Sequence, residues 1–316
     1  MSTNITIPRT DFKVFPLNLG ANPFGWTSDR ETTFAVLDAF LAAGGNFIDT
    51  ADMYSVWVEG HVGGESEALI GEWLKERDAY DKVIIATKGG ALEPNQGLER
   101  VAVFAAVDAS RERLGLETID IYYYHHDDEN ISIPEQVATA HQLIESGRIR
   151  HLALSNHSPE RAREFFEASQ GTPAQPVALQ PQYNLLHRAE VEKGYGPLAQ
   201  EYEAALLPYF SLASGMLTGK YRTAEDLSGS AREGFMSGYV NDAAFRVIDT
   251  LVEIADSRQV EPSTVALAWI IAKGITAPIA SVSAPEQLPA LLAAPTLGLS
   301  AAEVAALDEV SAGFAA

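Results

Sequence analysis

A short apolar run followed by a longer amphipathic segment recurs along this 316-residue chain. That rhythm constrains the fold more than any single residue does. The runs are Leu17–Leu19, Asn46–Ile48, Lys82–Ala86, Ile119–Tyr124, Ile149–Leu154, Val177–Leu179, Ala205–Phe210 and Thr276–Ala280. The first seven recur every ~27–37 residues, the span of a strand with its crossover helix. The last interval is longer and carries extra helical material from Asn241 to Lys273. Ser158-Pro159-Glu160 and Glu261-Pro262-Ser263 are helix starts, with proline at the first helical position. Gly44-Gly45, Gly115 and Gly147 stand where helices should stop.

Strands alternating with helices, with no low-complexity linker, predict one α/β domain over residues 1–316, closed as a (β/α)8 TIM barrel. An open doubly wound sheet is the alternative, but it would want a Gly-x-Gly-x-x-Gly turn after an early strand, and no such turn occurs. Before Leu17, the apolar residues Ile5, Ile7, Phe12 and Val14 alternate with polar ones, the pattern of an N-terminal β-hairpin plugging the barrel bottom. Ser300–Val310 reads as an additional C-terminal helix.

Composition narrows the function classes. The chain has no cysteine, which excludes disulfides, thiolate metal sites and a cysteine nucleophile. Its formal net charge of −21 disfavours nucleic acid and anionic membrane as partners. The N-terminus lacks a basic segment followed by an apolar run, and no stretch approaches the ~18–20 apolar residues of a membrane span. A cytoplasmic location is the expectation. No metal is expected either, since His61 has no neighbour at ligand spacing.

In a barrel of this kind, reactive groups sit at the C-terminal ends of strands or in the loops that follow. Asp49 ends the second run, Tyr54 lies five residues later, Lys88 ends the third strand and His125 the fourth. Each alone has a plainer explanation: a helix cap, a packed tyrosine, a solvated lysine, a structural histidine. Together they form a general acid with a polar clamp. A lysine ammonium favours the phenolate and should lower the tyrosine pKa, a carboxylate compensates the lysine, and a histidine can orient a carbonyl oxygen. His125 and His126, as strand neighbours, are expected to point to opposite sides.

These residues and the segments around them resemble the aldo-keto reductase family over nearly the whole chain, including its channel β-subunit-like members. Phe47 through Tyr54 is similar to the family's first signature, continued by Gly64-Glu65-Ser66-Glu67 and Ile70-Gly71. Thr118 through His125, and Gly147-Arg148-Ile149-Arg150 through Ser155-Asn156, resemble two more. The resemblance implies Asp49, Tyr54, Lys88 and His125 as catalytic residues. It implies a nicotinamide cofactor held by Gly20, Asn22, Asp49, Ser155, Asn156 and Gln180, by the aromatic Tyr209, and by the loop of Phe210, Ser211, Leu212, Ser214, Gly215 and Lys220. Ser281, Ser283 and Gln287 match the late adenosine-binding segment.

Phe210-Ser211 departs from the Ser-Pro of many relatives, and the stretch from Ile279 to Leu292 lacks the base that commonly meets the 2′-phosphate of NADP. Lys220, Arg222 or Arg232 would have to supply it. NADP(H) is the cofactor the resemblance favours, with NAD(H) as the alternative. Phe24, Trp26, Trp57, His125 and His126 are the expected substrate contacts, for a small carbonyl compound. The implied activity is reduction of aldehydes and ketones with Tyr54 as general acid. The alternatives are a slowly turning nicotinamide sensor or regulatory subunit, and a cofactor-free barrel lyase or isomerase. Oligomeric state is not legible.

Overall fold

The computed structural model describes residues 4–223, 225–227 and 233–316. A two-stranded antiparallel hairpin, β1 (Ile5–Thr6) and β2 (Lys13–Val14), precedes eight parallel strands. These are β3 (Asn18–Gly20), β4 (Phe47–Asp49), β5 (Ile84–Gly89), β6 (Ile119–Tyr124), β7 (Ile149–Ser155), β8 (Ala178–Gln180), β9 (Ala205–Leu206) and β10 (Ile279–Ala280). Each pairs with the next in sequence, and β10 pairs with β3. Ala277 N–H to Leu206 O and Ile279 N–H to Pro208 O link the remaining edges, so the sheet closes into the expected (β/α)8 barrel.

All eight expected runs overlap a strand, and several strands reach one to three residues further at the C-terminal end. The last two shrink to two residues each, because Pro208 and Pro278 have no amide N–H to give the ladder.

The helices are α1 (Arg30–Ala42), α2 (Glu65–Arg77), α3 (Arg100–Leu114), α4 (Ile133–Glu145), α5 (Pro159–Ser169), α6 (Gly196–Glu201), α7 (Glu233–Met236), α8 (Asp242–Arg258), α9 (Pro262–Ala272), α10 (Leu288–Leu297) and α11 (Ala301–Val310). The start signals act as expected: Ser158 caps α5 through its hydroxyl, and Pro262 opens α9. Asn241 caps α8, so α8 and α9 are the extra helical material. Ser300 and Glu303 form a capping box on the added α11. Among the described residues no single helix is long and apolar enough to cross a membrane.

Side chains alternate between two cores with the period of a strand. Ile48, Ile85, Tyr122, Leu152, Leu154 and Leu179 face the helices. Phe47, Ala86, Ile121, Tyr123, Ala153, Ala178, Ala205 and Leu207 fill the barrel interior. Ile7, Phe12 and Val14 join that interior cluster, so the hairpin plugs one end. Asn46 ties it down, donating to Lys13 O at 2.8 Å and accepting from Phe15 N–H at 2.8 Å.

Helices α2 and α3 meet where Gly71 lets their backbones approach. A Cβ on Gly71 would stand 2.1 Å from Arg113 O. Gly71→Ala should therefore lower unfolding stability by about 1–3 kcal/mol, the usual cost of overfilling a packed contact. Urea unfolding checks this, and an unchanged midpoint contradicts the close approach.

Candidate active site

The interior alternation delivers the polar residues. Two positions beyond Phe47, Ala86, Tyr123, Ala153 and Ala178 stand Asp49, Lys88, His125, Ser155 and Gln180. Five neighbouring strands thus raise a polar layer on an apolar floor, all at their C-terminal ends.

Lys88 is 1% exposed, and its ammonium has three protons to give. One goes to Asp49 Oδ1, one to Thr50 O at 2.7 Å and one to the Tyr54 hydroxyl oxygen at 3.3 Å. Asp49 Oδ2 accepts from Gln180 Nε2 at 2.8 Å. Burial alone would lower the Lys88 pKa, but the Asp49 carboxylate and then the Tyr54 oxygen outweigh it and hold the ammonium above its ordinary value.

Tyr54 does not follow the expected direction. Burial raises its pKa above the ordinary phenol value, and the opposing charge of Lys88 only tempers the rise, because Asp49 behind that lysine cancels part of its field. The phenol is neutral across the physiological range. Its oxygen accepts from Lys88, which leaves its own hydrogen to donate.

His125 is held well below the ordinary imidazole value by burial first, then by Lys88 and His126. It is therefore a neutral ring, and its Nδ1 has no hydrogen-bond partner among the described residues. His126 does not point away from it. Strand β6 ends at Tyr124, and although His125 still follows the interior alternation, His126 does not, and the imidazoles stack at 4.9 Å with 9° between planes. Asn156 donates to His125 O at 2.8 Å and accepts from the Tyr209 hydroxyl at 2.9 Å, tying the fourth strand end to the seventh.

These groups open into a cavity of about 1050 Å³. Tyr54, His125 and His126 line one part of it with Trp26 and Trp57, whose rings meet edge to face at 5.6 Å. Trp57 also packs against Tyr54 at 5.8 Å. Phe24 does not share this wall: it is wholly buried in the helix-side core. Lys88 stands behind Asp49 and Tyr54 rather than in the wall. Every residue assigned from sequence to cofactor contact lines the cavity except Arg232, which lies outside the described residues. Sequence reasoning missed Met53, Thr27, Glu261 and Glu286 in the same wall. Met53 and Thr27 adjoin residues already singled out; the two glutamates carried no signal.

The cavity fits a nicotinamide dinucleotide. It runs from the polar layer past the Tyr209 ring to the turn at Ser214 and Gly215 and on to the β10 end. Ser214 Oγ is buried there with no partner among the described residues. Ala213, Ser214 and Gly215 all have positive φ, a backbone turn that brings small residues to the wall.

The family model for the aldo/keto reductase family matches residues 16–312. The chain belongs to this family. It is thus an oxidoreductase acting on carbonyl and alcohol groups. An aldo-keto reductase, ausK, of Emericella nidulans is 32% identical over 292 residues, covering 85% of this chain and 71% of that protein. The L-glyceraldehyde 3-phosphate reductase of Escherichia coli O157:H7 is 30% identical over 316 residues, 95% of this chain and 90% of its own length. Norsolorinic acid reductase B of Dothistroma septosporum is 29% identical over 331 residues, with 97% and 80% covered.

This aldo-keto reductase also holds an acidic pair, Asp52 with Glu67. Asp52 is 2% exposed, its N–H bonds Lys88 O at 2.9 Å, and its Oδ1 has no partner among the described residues. Burial, and then the Glu67 carboxylate, raise its pKa from 3.8 to about 7. The folded protein holds this proton more tightly than the unfolded chain, so stability falls as pH rises from 3.8 to about 7. Asp52→Asn should gain stability relative to the parent across that window. Denaturant unfolding at a series of pH values tests this; a stability difference that does not change with pH contradicts it.

Proposed function

We propose that this chain, acting as one catalytic unit over residues 1–316, reduces the carbonyl of a small aldehyde or ketone with Tyr54 as general acid. One observation carries the reading: the three protons of the buried Lys88 ammonium go to Asp49, Thr50 and the Tyr54 oxygen. The phenolic hydrogen is thereby left for a carbonyl oxygen in the cavity. As negative charge grows on that oxygen, the phenol donates, and Lys88 stabilises the phenolate left behind. His125, neutral and lining the same cavity as Tyr54, gives a second hydrogen bond and sets the carbonyl's orientation. The bound nicotinamide ring supplies the hydride.

Asn156, Gln180 and Ser155 are suited to hydrogen-bonding a carboxamide, and Tyr209 to covering a flat ring. NADP(H) is the dinucleotide implied by the family and NAD(H) the alternative. Trp26, Trp57 and Met53 give the substrate end an apolar wall, which suits the carbon body of the substrate. By their names the relatives act on carbonyl compounds as different as a phosphorylated triose and norsolorinic acid.

Tyr54→Phe removes the acid while keeping the ring. Steady-state aldehyde reduction should fall by about 10²–10⁴-fold, the contribution of a positioned proton donor. Dinucleotide affinity should stay nearly unchanged. Near-parental turnover in this variant would remove Tyr54 from the role.

A further inference from the structure

The cavity is not uniform in charge. Its reactive end is neutral at the wall, since Lys88 and Asp49 compensate each other and both imidazoles sit below their ordinary pKa. The opposite lobe, formed by the β10 end, the turn after it and the start of α9, carries two carboxylates, Glu286 and Glu261. Among the described residues Lys220 is the only lysine or arginine in the whole cavity wall. It stands beside the Ser214–Gly215 turn, with its ammonium 4.8 Å over the Tyr221 ring. Arg222, the nearest other base in sequence, is paired with Asp249.

Several other polar groups of this lobe are neutral and hydrogen-bonded to one another. Ser281 Oγ donates to Asn22 Oδ1 at 2.6 Å, Ser283 Oγ pairs with Thr27 Oγ1 at 3.0 Å, and Ser283 N–H donates to Gln287 Oε1 at 2.9 Å.

A dinucleotide with its reactive ring at Tyr54 must extend along the cavity, whose wall includes this lobe. The adenosine half therefore ends beside Glu286 and Glu261. A carboxylate can accept a hydrogen bond from a ribose 2′-hydroxyl. The same carboxylate repels a 2′-phosphate, which carries between one and two negative charges at neutral pH. The net charge of −21 adds to that repulsion at long range.

We propose that this lobe is built for an adenosine ribose with a free 2′-hydroxyl, so that the chain binds NAD(H) in preference to NADP(H). The proposal rests on the cavity being the dinucleotide site. It departs from the family's implied cofactor on the strength of these side chains.

The test is equilibrium binding to the full chain, by isothermal titration with NADH, NADPH, ADP-ribose and 2′-phospho-ADP-ribose. The two ADP-ribose probes carry no nicotinamide, so their binding is read without turnover. NADH should bind at least about tenfold tighter than NADPH, a gap of about 1.4 kcal/mol. The ADP-ribose pair should show the same order, and added salt should narrow the gap as it screens the carboxylates. Glu286→Gln and Ser283→Arg, both at the cavity rim, should each narrow it further. Equal or tighter NADPH binding overturns the proposal, and a preference for NADPH that disappears in Arg232→Ala would assign the phosphate contact to that arginine instead. If none of the four probes binds, it is the reading of the cavity as a dinucleotide site that fails.

Discussion

A lysine ammonium and a carboxylate, both fully buried, face each other at the ends of β4 and β5, and most of the site is organised around them. Desolvating two charges is costly, and the cost is recovered only when geometry is good and every remaining donor and acceptor is used. Here that condition is met. Lys88 spends its three protons on Asp49, Thr50 and Tyr54, and Asp49 spends its second oxygen on Gln180. Removing one member of such a pair leaves an uncompensated buried charge, typically at about 3–5 kcal/mol. The pair therefore locks the mutual register of three strand ends and aims a loop tyrosine at the cavity.

The chemistry that results differs from the one that charge alone suggests. A tyrosine beside a lysine invites the expectation of a lowered pKa. The carboxylate behind the lysine and the burial of the ring reverse the direction, so Tyr54 is a neutral donor stabilised after it loses its proton rather than a phenolate in waiting. A neutral His125 fits the same logic, because the Lys88 charge disfavours a second cation there. The polar layer holds one positive and one negative charge, and everything else in it is neutral. Away from that layer the described wall carries the Lys220 ammonium and, at the far lobe, the carboxylates of Glu286 and Glu261.

Much of this was legible in the sequence. Strand–helix recurrence marked all eight barrel strands, and the alternating Ile5, Ile7, Phe12 and Val14 marked the hairpin plug. Asp49, Lys88, His125, Ser155 and Gln180 share a property that period-two reasoning can find: each follows an interior apolar residue by two positions. The misreadings have physical causes. Phe24 and Trp26 share the first loop, and nothing local in the sequence shows that Phe24 turns into the helix-side core while Trp26 lines the cavity. His125 and His126 were treated as strand neighbours, although the strand had ended one residue earlier. Glu261 and Glu286 were invisible because they come from two separated helix starts, and nothing local shows that both open on one cavity. The tyrosine's charge state depends on the depth of burial, which no motif encodes.

The central claim is that the proton comes from the Tyr54 phenol and not from the neighbouring imidazole, and the pH dependence of a single turnover separates the two. The reaction would be followed by rapid mixing of enzyme, saturating nicotinamide dinucleotide and an aldehyde, from about pH 6 to about pH 9, with loss of the reduced nicotinamide signal as the readout. A phenol whose pKa lies above its ordinary 10.0 predicts a rate that is flat over this range. A histidine acid, held below its ordinary pKa, would lose its proton before or within this range, so a rate that falls steadily with rising pH would name a histidine and contradict the account.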